Sequence, residues 1–237
     1  MSRFGGAVYS RISSMYSQSN TMTVEEPLSN GGMKKQVYNC TTPNYEDATG
    51  LFSQLLTIDE QLTTYLARFA SPQTQAQNLL KILCMCLELS GHGVPWFALS
   101  GLLLGLYFYT GEDFYFNYGL NLLSILVMDV SVVAPIKLLI KRPRPALNRG
   151  TIPLSISSVD CYAFPSGHAS RCVALAALFC YLPPFQVWTH LWYIWAIAVS
   201  LSRVGLGRHH VLDIGAGVLA GLVIFDLVRR FGLLVGV

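Results

Sequence analysis

A chain of 237 residues that is 52% hydrophobic and only 12% charged carries about half the charge of an ordinary soluble domain. With a mean hydropathy of +0.45 it belongs to the membrane class. Long apolar spans flank its basic residues, which argues against nucleic acid as a partner, and the six cysteines show neither a CxxC pair nor zinc spacing.

In chain order, residues 1–50 are rich in Ser, Thr, Asn and Gly and hold no apolar run or signal-peptide core, so a disordered polar tail is expected. Over 51–70, Leu51, Leu55, Ile58, Leu62, Leu66 and Phe69 recur at helical spacing. Thr57 and Glu60 fit a capping box, and an amphipathic helix lying on the membrane, or packed on protein, is the expectation for 51–77. The membrane core occupies 78–237. Its apolar segments are 78–90, short for a span, then 95–110, 115–140 with Asp129 and Pro135 inside, 172–202 divided by Pro183-Pro184, and 211–228. A crossing needs about 20 residues. The predicted fold is therefore all-α, a polytopic membrane bundle of five to six helices with a disordered tail and one interfacial helix.

Alternating crossings bring the ends near 140, 166 and 202–211 to one face of the bilayer. Arg229-Arg230 falls on the other side, which the positive-inside rule marks as cytosolic, so the shared face looks into the lumen or exterior. The basic stretch 141–149 argues for the opposite orientation. From 130 to 215 there are eight basic residues and only two acids, Asp160 and Asp213, an imbalance that points to an anion site.

Three polar clusters share that face: Lys137-x6-Arg144-Pro145, Pro165-Ser166-Gly167-His168, and Ser202-Arg203-x5-His209-x3-Asp213. The first alone is weak; the third is strong because five positions share one spacing. His209 and Asp213 are four apart, so on a helix the carboxylate can fix the imidazole tautomer. The other ring nitrogen is then free to attack phosphorus, which gives a phosphohistidine and needs no metal or cofactor. His168 is the expected general acid for the leaving oxygen and later the base for water, which predicts a bell-shaped pH profile. Lys137, Arg144 and Arg203 would hold the phosphate oxygens. Pro165 is placed in the first turn of a helix whose Ser166 and Gly167 amides cradle the anion.

Other polar residues have plainer readings. His92 and His190 are expected to pack between helices. Lys141, Arg142 and Arg149 read as flanking basic residues on lipid head groups. Arg208 and His210 could touch substrate or solvent. Asp129 is expected to form a structural pair, and Gly217-x3-Gly221 to pack helices.

These clusters resemble the signature of the type-2 phosphatidic acid phosphatase superfamily, which includes bacterial acid phosphatases and vanadium haloperoxidases. The resemblance covers about 78–232 and implies a helical core with a metal-free phosphohistidine mechanism. It gives His209 the role of nucleophile, Asp213 that of its orienting acid and His168 that of proton donor, with Lys137, Arg144, Ser166, Gly167 and Arg203 on the phosphate. Residues 91–96 (Gly-His-Gly-Val-Pro-Trp), 144–148, 158–164 and 206–209 are also similar to the presqualene and polyisoprenoid diphosphate phosphatase branch. That branch implies an isoprenoid mono- or diphosphate substrate and endoplasmic reticulum or nuclear envelope membranes. A phosphatidate, lysophosphatidate or sphingosine-phosphate phosphatase is the alternative substrate class. A catalytically silent membrane scaffold of the same fold is the other alternative, although such a scaffold should lose signature residues and none is lost here; a transporter would show internal repeats and a haloperoxidase would lack the spans, and neither fits the chain.

Overall fold

Helices that are apolar on every side cannot bury all of that surface against one another, and what remains must meet lipid. The computed structural model describes residues 18–27, 33–42, 50–68, 74–145 and 161–236. Among these described residues it places seven α-helices in chain order: α1 (Leu51–Ala67), α2 (Gln75–Ser90), α3 (Gly93–Thr110), α4 (Asp113–Ile140), α5 (Gly167–Tyr181), α6 (Thr189–Gly205) and α7 (Val211–Arg230), with a 3-10 turn at Phe185–Trp188 before α6. The all-helical core agrees with the sequence reading. Phe108, Tyr109, Leu139 and Leu219 face outward, whereas Asp129, Lys137, Arg203, His209 and Asp213 are inside. A soluble bundle has the reverse distribution.

Ahead of the bundle the structure differs from the expected disordered tail. Strands β1 (Gln18–Pro27) and β2 (Met33–Thr42) pair as an antiparallel hairpin, with Glu25 opposite Lys35 and Glu26 opposite Lys34 in register. Thr21, Thr23, Val24, Val37, Tyr38 and Thr41 are strand formers, and Gly31-Gly32 lies between the strands. The polar composition masked that signal.

Helix α1 begins at Leu51, so Thr57 lies inside it, its hydroxyl donating to the Ser53 carbonyl at 2.9 Å. The capping box is instead at α2, where the Thr74 side chain accepts from Gln77 N and the Gln77 side chain accepts from Thr74 N. Helix α3 is capped by His92 and ends at Gly111, whose φ of 74° is the left-handed conformation that favours glycine. Helix α5 starts at Gly167 with Ser166 as N-cap, which moves Pro165 from the first turn to just outside the helix.

Helices α3, α4 and α7 are long and apolar enough to cross a membrane by themselves. At 15 and 17 residues, α5 and α6 are shorter than the crossings expected on either side of Pro183-Pro184, while α2, at 16 residues, is longer than the apolar segment 78–90. For α5 the reason is its position. It is enclosed by α4, α6 and α7, and its residues from Ala169 to Phe179 are buried except Arg171. Its core partners are Leu122, Ile125, Leu126 and Val133 of α4 and Ile224 and Val228 of α7.

Contact between α5 and α7 depends on two glycines. A Cβ at Gly217 would stand 2.6 Å from the Ser166 carbonyl oxygen and 2.9 Å from Ala169 Cβ; one at Gly221 would meet the Ser170 carbonyl oxygen and Val173. Small residues let membrane helices approach at the backbone. Gly221→Val is expected to destabilise the bundle by about 1–3 kcal/mol or more, because the atom it meets is backbone. Thermal unfolding in detergent measures this, and an unchanged midpoint would contradict the packing described.

Candidate active site

All three sequence clusters come together at one end of the bundle, linked by backbone. The Arg142 carbonyl accepts from Ala163 N at 2.8 Å, and Ser166 N donates to the Asp213 carbonyl at 3.0 Å. Lys137, in the last turn of α4, donates through Nζ to the Tyr162 carbonyl at 2.7 Å. Arg144 Nη1 donates to the Arg208 carbonyl at 3.2 Å, which joins the segment after α4 to the turn between α6 and α7. Arg203 sits in the last turn of α6 and is almost fully enclosed.

His209 lies in the turn between α6 and α7 and is buried. Its Nδ1 is 2.8 Å from the Ala163 carbonyl oxygen. A carbonyl can only accept, so Nδ1 carries the proton and Nε2 carries the lone pair. Burial, then the charges of Arg144, Arg203, Lys137 and His168, hold this imidazole well below its ordinary value of 6.5. The ring is therefore neutral at neutral pH.

Asp213 stands within ion-pair distance of His209 but makes no hydrogen bond to it in this geometry. Its Oδ2 is 3.9 Å from His209 Nδ1. That oxygen accepts instead from His210 N at 2.8 Å and His210 Nδ1 at 3.1 Å, and Oδ1 accepts from Arg142 Nη1 at 2.7 Å. The hydrogen bond at His209 Nδ1 is thus to backbone, while Asp213 bonds the turn that carries the ring.

His168, in the first turn of α5, keeps its Nε2 buried with no hydrogen-bond partner among the described residues. Ser166 accepts from Ala169 N at 3.4 Å as N-cap. A Cβ at Gly167 would meet only Val133 at 3.7 Å, so packing does not demand glycine there and the position leaves space. Arg203 Nε is also without a partner among the described residues. A buried donor without a partner costs stability unless a ligand satisfies it.

Several residues had been given plainer or different positions by the sequence. Arg142 is not at lipid head groups: it is buried and bridges Asp213 to Asp59 of α1, its Nη2 2.7 Å from Asp59 Oδ2. Arg208 and His210 are buried rather than solvent-facing, with Arg208 Nε 3.6 Å from Glu88 and His210 at the N-cap of α7. Glu88 of α2 also pairs with Arg203. His92 caps α3, accepting at Nδ1 from Val94 N, and its ring lies edge-on to His168 with centroids 5.7 Å apart. Asp129 forms the expected structural pair, with Arg171 at 2.9 Å and the Ser170 hydroxyl at 2.5 Å. Arg149, Asp160, residues 146–148 of the 144–148 motif and residues 158–160 of the 158–164 motif lie outside the described residues.

Glu88 was visible in principle. An acid inside the apolar run 78–90 needs a partner as much as Asp129 does. Asp59 gave no such signal, because an acid on an amphipathic helix ordinarily faces water.

Residues 118–233 match the sequence model of the PAP2 superfamily. Among curated proteins, the probable lipid phosphate phosphatase beta of Arabidopsis thaliana is 33% identical over 132 residues, covering 45% of this chain and 62% of that protein. The chain thus spans less than two thirds of that relative's length. Among solved structures, the transmembrane PAP2-type phosphatidylglycerolphosphate phosphatase from Bacillus subtilis superposes with a TM-score of 0.56 at 25% identity, over 76% of this chain and 86% of that one. LpxE of Aquifex aeolicus has a TM-score of 0.51 at 20% identity, over 72% and 93%, a likeness of fold.

Proposed function

We propose, because residues 118–233 match the PAP2 superfamily, that the chain is an integral-membrane lipid phosphatase of that superfamily working through a phosphohistidine on His209. The observation that carries this is the Nδ1–Ala163 contact. It leaves Nε2 as a neutral nucleophile among the charges of Lys137, Arg144 and Arg203.

In the proposed reaction, His209 Nε2 forms a bond to phosphorus as the bond to the lipid oxygen, or to the terminal phosphate's bridging oxygen, breaks. His168 gives its proton to the departing oxygen. Lys137, Arg144, Arg203, the Ser166 hydroxyl and the Gly167 amide take up charge on the non-bridging oxygens, the Ser166 amide being held by the Asp213 carbonyl rather than cradling the anion. Water then attacks the phosphohistidine with His168 accepting its proton, which frees phosphate and restores both rings.

The free enzyme's acid limb follows from the depressed His209 value. Below that pKa the ring is protonated and cannot attack; above it, Nε2 is available. The acid midpoint of kcat/KM is therefore expected below pH 6.5. A midpoint above that value would contradict the buried, cation-surrounded imidazole.

For substrate, isoprenoid mono- or diphosphates are the first reading, supported by the Gly91–Trp96 and Leu206–His209 motifs. The second is a glycerolipid or sphingoid phosphate; the Bacillus relative, a phosphatidylglycerolphosphate phosphatase, speaks for the glycerolipid. The proposed setting is the endoplasmic reticulum or nuclear envelope with the site facing the lumen. Phosphate release by protein purified in detergent, from farnesyl or presqualene diphosphate and from phosphatidate, ranks the two classes. Folded protein inactive on all of them would favour a silent scaffold.

A further inference from the structure

Helix α1 lies outside residues 118–233, yet it meets the active site with its polar side. Asp59, Thr63 and Ala67, one turn apart, are buried, while Leu51, Leu55, Ile58, Leu62 and Tyr65 are exposed on another face. An amphipathic helix packed on a core ordinarily buries its apolar stripe. Here the inward stripe makes specific polar contacts. Asp59 Oδ1 accepts from Leu212 N at 3.0 Å, and the Thr63 hydroxyl accepts from Val211 N at 3.2 Å, so α1 satisfies amides in the first turn of α7. Asp59 Oδ2 binds Arg142, whose other nitrogen binds Asp213.

We infer that Asp59 is a positioning residue for the phosphatase site, acting through Arg142 on Asp213 and so on the turn that holds His209. The inference rests on the phosphatase reading above. The physical basis is the shared guanidinium. With Asp59 on one nitrogen, Arg142 presents the other to Asp213 Oδ1 and leaves Oδ2 to the His210 amide and ring. Without the Asp59 charge, Arg142 is free to take both Asp213 oxygens in a two-pronged pair. Oδ2 then leaves the His210 amide, and the His209 ring loses its fixed line of attack. A displacement of that kind affects the chemical step rather than lipid binding.

The test is kinetic. Asp59→Asn keeps the shape and the acceptor for Leu212 N but removes the charge facing Arg142. It is expected to lower kcat about tenfold with KM changed less than twofold. Arg142→Gln should lower kcat further, and the double variant should be no slower than Arg142→Gln alone, since both act along one path. Thr63→Val loosens α1 without touching Arg142; it should lower the unfolding midpoint yet hold kcat within about threefold of the parent. Asp59→Asn within twofold of the parent, multiplying effects in the double variant, or Thr63→Val reproducing the Asp59→Asn kinetics would each overturn the inference. A parent that releases no phosphate from any lipid phosphate while folded would instead remove the phosphatase reading, and the inference with it.

Discussion

His209→Ala is expected to lower lipid phosphate release by at least about 10⁴-fold with little effect on folding, because removing a nucleophile leaves only the contribution of binding and charge. The ring is buried, and among the described residues it bonds to the Ala163 carbonyl, which the neighbouring Ala163 N–Arg142 bond helps to hold in place. Asp213→Asn should be milder, about 10–10²-fold. Its carboxylate stands 3.9 Å from the ring and supports the turn through His210 and Arg142. Steady-state rates on the same lipid decide the order. Equal losses from the two variants would mean that Asp213 acts on His209 directly and that the backbone contact does not set the tautomer.

Arg203→Ala is expected to show two separable effects. Loss of a phosphate-binding cation should lower kcat/KM by about 10²–10³-fold. Arg203 is also the buried partner of Glu88, and removing one member of such a pair typically destabilises by about 3–5 kcal/mol, since the other charge is left uncompensated. Arg208, 3.6 Å away, offsets only part of this. Adding Glu88→Gln to Arg203→Ala should restore much of the unfolding midpoint and none of the rate. Recovery of both would make Arg203 a structural residue alone, and a rate loss under threefold would remove it from the phosphate site.

The parts of the site that were legible in the sequence are those with fixed spacing. Lys137 with Arg144 lies at the end of α4, Ser166 with His168 at the start of α5, and Arg203 with His209 and Asp213 across the turn from α6 to α7. Alternating crossings bring those ends to one face, and the structure joins them through Tyr162, Ala163 and the Asp213 carbonyl. What spacing could not reveal was the partner of each cation. The window 130–215 looked short of acid, but its acids come from outside it: Asp59 for Arg142, Glu88 for Arg203 and Arg208, and Asp129 for Arg171. Such pairs are tertiary and carry no local pattern.

The fold was legible to a similar extent and for similar reasons. Apolar runs gave the helices of the core, whereas their ends depended on caps. Thr57 looked like a cap yet lies mid-helix, and Thr74 was the actual one, because both stand three residues before a Glu or Gln. The hairpin at 18–42 was hidden for a different reason. Its polar strand formers lack the apolar alternation by which a half-buried strand is recognised.

The central claim is that phosphorus is transferred to His209 before it reaches water. The most direct measurement is the stereochemical course with a lipid thiophosphate made chiral at phosphorus by oxygen-isotope labelling. Two in-line displacements, one by His209 Nε2 and one by water, predict retention of configuration in the thiophosphate released. Inversion would mean that water attacks the lipid phosphate in a single step, and His209 would then not be the nucleophile.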